Sequence, residues 1–355
     1  MRTARILLLA PLLLAPAVHA QPGQLVNAKT TVRAATPGHL TDDVRTGSGP
    51  RWVAWSVPSA QQGHICCYGS IREGEARGFC CGGCRLESGH AFVAQTPAGP
   101  AALESTNALV FVRLDGSRET SVRSFSSDCG VDAEGRDVVW LTGVSPEDSV
   151  RYLASLANGG RDSDLDDGLA GRALSAVALQ ATPAADRLLE GFLRAKGPLE
   201  LRKKAAFWLG TARGRAGFEA LAAVIPDDPD AELRHHGTFA ISESHEPGAS
   251  ALLIRMARRD PDGEVRGQAL FWLAQRAGEK AAESIQDAIR DDPDAEVKEK
   301  AVFALSQLPK DRAVTELIRV ARTSRVPEVR ERAIFWLGQT KDARALDYIE
   351  EILKR

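Results

Sequence analysis

From residue 199 to residue 355 the chain repeats itself every 32 residues, and that period constrains its fold more than any motif does. Aligned in register, the segments read LELRKKAAFWLG, AELRHHGTFAIS, GEVRGQALFWLA, AEVKEKAVFALS and PEVRERAIFWLG, with no insertion between them. Leu201, Leu233, Val265, Val297 and Val329 share one column; Phe207, Phe239, Phe271, Phe303 and Phe335 share another. A fixed period of this length marks stacked supersecondary units, none of which buries its apolar face alone. The expected architecture is an α-solenoid of helix pairs.

Each repeat opens with an A helix after a Pro-Asp or Pro-Asp-like turn. Asp230, Asp262 and Asp294 stand at capping positions, and Glu232, Glu264 and Glu296 follow in the first turn, where the helix dipole favours anions. At 100° per residue, Leu201, Ala205, Trp208, Leu209 and Ala212 fall on one apolar arc, so Trp208, Trp272 and Trp336 are expected in the core. Phe207 falls outside that arc, which assigns the Phe column to packing between successive repeats. The pairs Glu232/Arg234, Glu264/Arg266, Glu296/Lys298 and Glu328/Arg330 are expected to form polar ladders between repeats. Leu221, Leu253, Ile285, Leu317 and Ile349 mark the core column of the following B helices. Leu169–Gln180 and Ala184–Ala195 form a degenerate first unit, in which Ser175 replaces the Phe, as expected where a stack is capped.

Stretches such as Asp260-Pro261-Asp262-Gly263-Glu264-Val265-Arg266 and Asp292-Pro293-Asp294-Ala295-Glu296-Val297-Lys298, each followed by an Ala-rich helix, resemble HEAT repeats of the short type found in phycobilisome lyases. The resemblance covers about residues 169–355 and implies a HEAT-like solenoid. It leaves function open, because one fold hosts enzymes, scaffolds and adaptors.

Residues 1–20 have the layout of a secretory signal peptide: Arg2 and Arg5, an apolar run from Ile6 to Ala17, and small residues around Val18-His19-Ala20. Export to the periplasm or exterior is therefore expected, with no membrane span after cleavage. Residues 21–144 read as a small disulfide-rich, β-containing domain. LVFVRL and TSVRSF flank Asp115-Gly116-Ser117-Arg118, a hairpin signal, and Trp52–Val57, Val138–Leu141 and Leu25–Ala34 are further strand candidates. All six cysteines, Cys66, Cys67, Cys80, Cys81, Cys84 and Cys129, lie in this domain; in an exported chain they read as up to three disulfides of undetermined pairing. Residues 145–168 form a linking helix, opened by Ser145-Pro146-Glu147, and an acidic loop. The formal net charge is −2, with neither part strongly basic, which argues against a nucleic-acid partner.

Several constellations carry a chemical alternative. Cys66, Cys81, Cys84 and His90 offer four ligands for zinc, and Cys81 with Cys84 has the spacing of a redox pair, but vicinal cysteines in an exported chain favour bridges. Asp162, Asp164 and Asp166 alternate as in a calcium loop, yet Asp167 stands where the turn needs glycine and Ala173 where it needs glutamate. His235, His236 and the His245-Glu246 pair invite comparison with the deoxyhypusine hydroxylases, HEAT-repeat enzymes that bind two irons through repeated His-Glu pairs. The matching positions in other repeats hold no second His, so these read as solvated side chains. Finally, Arg258, Arg290, Arg322 and Lys354 recur at the repeat period, with Arg194 two periods before Arg258, at a position pointing outward from the B helix. Such a stripe suits either an acidic peptide or compensation of each helix dipole.

The reading that unites these features is an exported, non-enzymatic interaction or scaffold protein with no cofactor, binding a protein or peptide along the inner face of its solenoid, which is expected on the B helices. Chemistry in the Cys-rich head, by metal or redox, is the alternative. A bilin-lyase-like or di-iron hydroxylase activity is a further one that rests on the resemblance alone.

Overall fold

The computed structural model describes residues 25–60, 84–87, 107–127, 130–158, 165 and 168–354. The expected signal segment, Cys66, Cys67, Cys80, Cys81, Cys129, His90, Asp162, Asp164, Asp166 and Asp167 lie outside them.

The head is built on a five-stranded sheet. In chain order the strands are β1 (Leu25–Val26), β2 (Lys29–Ala34), β3 (Pro50–Pro58), β4 (Cys84–Arg85), β5 (Asn107–Asp115), β6 (Arg118–Ser126), β7 (Val131–Asp132) and β8 (Asp137–Thr142), with helix α1 (Leu40–Arg45) between β2 and β3. The large sheet runs β2-β8-β3-β5-β6, and a small one runs β1-β7-β4. The β2/β8 and β8/β3 pairs are parallel, whereas β3/β5 and β5/β6 are antiparallel. The expected hairpin is present. Asp115 pairs with Arg118, and Gly116 takes a φ of 64°, a conformation glycine adopts without steric cost.

Strands β3, β5, β6 and β8 each contribute to two cores, because successive side chains point to opposite faces. Val53, Trp55 and Val57 of β3, with Val110 and Val112 of β5, face the helices. Trp52, Ala54, Phe111, Phe125 and Trp140 face the other way and pack around Cys84 and Leu86. The run WVAWSV is therefore apolar at nearly every position because both of its faces are covered. Glu87 pins the Cys84–Glu87 stretch to the sheet: it accepts from the Trp52 indole at 3.0 Å and pairs with Arg113 and Arg136 at 3.3 and 3.4 Å.

The helices follow as α2 (Pro146–Asn158), α3 (Leu169–Ala178), α4 (Pro183–Arg194), α5 (Leu199–Ala212), α6 (Gly214–Val224), α7 (Ala231–Glu243), α8 (Gly248–Arg259), α9 (Gly263–Ala277), α10 (Ala282–Asp291), α11 (Ala295–Ser306), α12 (Lys310–Thr323), α13 (Pro327–Gln339) and α14 (Ala343–Leu353). Beginning with α3, odd-numbered helices form the A layer and even-numbered ones the B layer. Helix α2 is more than a linker. It packs on α3 and α4 as a B helix packs on the following repeat, and its Ser149 accepts the Trp55 indole N–H at 2.8 Å. Helix α3 lies against β6. One continuous core consequently runs from the head through the repeats to Tyr348. No helix among the described residues is long and apolar enough to cross a membrane.

Successive A helices press closely together, while B helices touch their counterparts only lightly. Any side chain at Gly210 of α5 would collide with the Ala240 carbonyl of α7. A stack crowded in one layer curves toward that layer, so the A helices line the inner face. The expected placement of the inner face on the B helices is corrected accordingly.

A candidate partner-binding face on the A helices

The D-P-D turns explain why the repeats stack in one register. The second aspartate caps its own A helix: Asp262 accepts from the backbone of Glu264 at 2.8 Å and Val265 at 3.3 Å, and Asp230 and Asp294 act alike. The first aspartate joins two repeats. Arg234 of α7 forks onto Asp260 with two 2.9 Å bonds and reaches the Asp228 carbonyl at 2.8 Å. Arg266 does the same to Asp292, at 2.8 and 3.0 Å, and to the Asp260 carbonyl at 2.9 Å. Arg202 pairs with Asp228. These planar, two-point pairs are nearly buried, a geometry that arginine satisfies and lysine does not. The clamp ends at the junction of α11 and α13, where Lys298 replaces the arginine and Ser324 the aspartate; there Lys298 donates to the Arg290 carbonyl, at 3.1 Å. The expected polar ladders between repeats are present, but not as Glu–Arg pairs: the arginines take aspartates one repeat on, and the glutamates take lysines of a neighbouring repeat.

The glutamates serve a different row. Lys203 bridges Glu200, at 2.9 Å, and Glu232, while Lys300 bridges Glu264 and Glu296, the latter at 3.3 Å. Burial opposes the ammonium charge on both lysines, but their paired carboxylates outweigh it and hold the pKa above the ordinary value.

Above this framework lies a ladder of aromatic rings. Taking Phe207 as 0°, Glu200 sits at 20°, Lys203 at about −40° and Thr211 at about 40°, on a helix advancing about 100° per residue. The phenylalanine therefore occupies the middle of the one arc that the core and the neighbouring A helices leave open, and Phe207, Phe239, Phe271 and Phe303 are half-buried. Phe335 is 51% exposed. Phe207 stacks on Phe239 at 6.1 Å, and Phe271 on Phe303 at 5.7 Å. Trp272 enters between Phe239 and Phe271, 4.8 Å from each, and Trp336 between Phe303 and Phe335 at 5.0 and 5.1 Å. Trp208 meets Phe207 at 5.0 Å. Eight rings are thus in unbroken contact along the inner face. The expected repeat-to-repeat role of the Phe column holds, but the tryptophans are boundary residues packed on the core rather than inside it.

Below the ladder, Gln275 donates to Gln307 at 3.2 Å. Beside it, His236 differs from its expected solvated state. Its Nε2 is buried without a hydrogen-bond partner, and its ring meets Phe239 edge-on at 6.4 Å. Burial, and then the nearby Lys203 and Lys204 charges, push its pKa down to about 4.

The B-layer stripe is exposed as expected, and each of its cations is paired. Arg258 meets Asp287 at 2.7 Å; Arg290 meets Asp287 at 2.6 Å and Asp291 at 2.9 Å. Arg322 meets Glu351 at 2.9 Å and lies 5.1 Å over the Tyr348 ring. Lys354 meets Glu350 at 3.3 Å, and Arg194 meets Glu190 at 2.8 Å. The stripe is half of an ion-pair network, not a run of uncompensated positive charge. Of the metal and disulfide candidates only Cys84 is described; it is buried and disulfide-bonded. Among the described residues no three His, Cys, Asp or Glu side chains converge as a metal site.

Sequence reasoning missed the inner aromatic face and the Arg–Asp clamp. The first was visible as Glu seven before and Thr, Gln or Glu four after each Phe, all on one helical stripe. The second was visible as the joint change of arginine to Lys298 and aspartate to Ser324.

Residues 185–274 and 282–355 match the family model described as HEAT repeats. No protein of curated function matches the sequence. Among solved structures, the chain is similar to human deoxyhypusine hydroxylase in complex with glycerol, at 16% identity over 58% of this chain and 90% of that one, with a TM-score of 0.30. It is similar to the CpcE–CpcF complex of phycocyanin lyase from Nostoc, at 19% identity over 58% and 80%, with a TM-score of 0.32. It is also similar to the Cnd3–Cnd2 condensin subcomplex of S. pombe, at 17% identity over 57% and 30%, with a TM-score of 0.35.

Proposed function

With residues 185–355 an array of HEAT repeats, we propose that this protein is an exported, non-enzymatic binding or scaffold protein that holds a protein partner on the inner, A-helix face of its solenoid. The observation that carries the reading is the continuous ladder from Trp208 to Phe335. Half-exposed aromatic rings have large area and little side-chain entropy to lose, which is why they dominate binding hot spots. The Arg–Asp clamps beneath hold the ladder rigid, so little free energy is lost in ordering it on binding. Export rests on the layout of the first twenty residues, and the head, stapled by disulfides, would seal the first turn of the stack in an oxidising compartment.

The test compares two double variants in capture of the native partner from envelope extracts. Phe271→Ala/Phe335→Ala should lose capture while retaining its helical content; Arg258→Glu/Arg322→Glu should keep it. Loss only in the arginine variant would place the binding face on the B layer and overturn the reading.

A further inference from the structure

Resting on the inner-face reading above, we propose that the segment held there is proline-rich and basic, lying along the ladder as a left-handed polyproline II helix with one turn per repeat.

The argument begins with spacing. Packed helices lie about 8–10 Å apart, so the inner face offers an equivalent set of side chains at that interval. A polyproline II helix has three residues per turn and a rise of about 3.1 Å, so residues i, i+3 and i+6 return to one face about every 9 Å. No other regular conformation keeps that register. A β-strand returns a side chain to the same face about every 6.6 Å, and an α-helix turns every 5.4 Å or so. The 32-residue period, which runs without insertion through five A helices, supplies the regular lattice such a ligand needs.

The surface chemistry agrees. Stacked, half-buried rings suit proline, whose ring packs on aromatic side chains and whose fixed backbone has little entropy left to lose. Along the N-terminal margin of the ladder runs one glutamate per repeat, of which Glu232, Glu264, Glu296 and Glu328 are exposed. Seven residues separate each from its phenylalanine, about 10 Å along the helix axis, within reach of a lysine side chain whose backbone lies between the rows. Lys203 and Lys300 each serve two of these carboxylates, so the row stays net negative. A cation at every third position of the ligand would find a carboxylate in each repeat.

Fluorescence anisotropy with three labelled probes tests this: five Pro-Pro-Lys triplets, five Gly-Ser-Lys triplets of equal charge, and five neutral Pro-Pro-Gln triplets. The first should bind about tenfold more tightly than either other, since both preorganisation and charge contribute. Glu232→Gln/Glu264→Gln/Glu296→Gln should bring the lysine probe down to the level of the glutamine probe. Equal binding of the Gly-Ser-Lys probe would overturn the polyproline geometry, and equal binding of the Pro-Pro-Gln probe would overturn the basic character. If none of the probes binds while native capture still depends on Phe271 and Phe335, this inference falls and the inner-face reading stands. If capture is also indifferent to those residues, both fall.

Discussion

At the residue scale, the side chains that matter most are those whose surroundings contradict their type. His236 is a titratable group held neutral, with a pKa of about 4 against an ordinary 6.5. Above pH 6.5 both folded and unfolded forms are neutral there and its contribution to stability is complete. As pH falls from 6.5 toward 4, the unfolded chain takes up a proton that the folded one refuses, and stability declines by at most roughly 3 kcal/mol. Urea titrations at pH 7 and pH 4.5 should show this loss in the native protein and a smaller one in His236→Phe; equal losses would refute the buried state. Arg234 contradicts its type in the same way. Removing it strands Asp260 in a nearly buried site, so Arg234→Ala should cost about 3–5 kcal/mol. Arg258→Ala, at an exposed pair, should cost under about 1 kcal/mol in the same assay.

At the element scale, helices α7 and α9 are each specified three times over: by a cap, by an apolar arc and by a clamp to the next A helix. The cap and the arc were legible in the sequence because they are local, set by Asp262 against the residues two and three ahead and by 100° steps from Leu201. The clamp was not, because Arg234 and Asp260 stand 26 residues apart and the nearer Glu232 offered a plausible but wrong partner. The ladder was misjudged for a related reason. Helical angle placed Phe207 outside the core arc, but only the crowding of the A layer shows that the open arc is the inner face. The unclamped junction between α11 and α13 gives a direct test. Lys298→Arg together with Ser324→Asp should rebuild the pair, and a double-mutant cycle should return a favourable coupling of about 1–3 kcal/mol. A coupling near zero would mean that the register is set by apolar packing alone.

At the scale of the whole molecule, head and solenoid share one core, which α2 and α3 carry from the sheet into the repeats. Thermal unfolding should therefore show the head and the first repeats melting together. The last repeat is the exception: it lacks the clamp, and Leu346 and Leu353 are 58% and 80% exposed where the matching Val314 and Ala321 are buried. Solenoid stability is approximately a sum of repeat and junction contributions. Amides of α13 and α14 should accordingly exchange hydrogen faster than those of α7 and α9, measurable by mass spectrometry; uniform protection would contradict the junction argument. The central claim is that partners bind on the inner, aromatic side of this stack. Photo-crosslinking tests it most directly, with a benzophenone side chain placed in turn at Phe335 on the A layer and at Arg322 on the B layer of the preceding repeat. The account predicts a crosslinked partner from Phe335 and none from Arg322; the reverse pattern would contradict it.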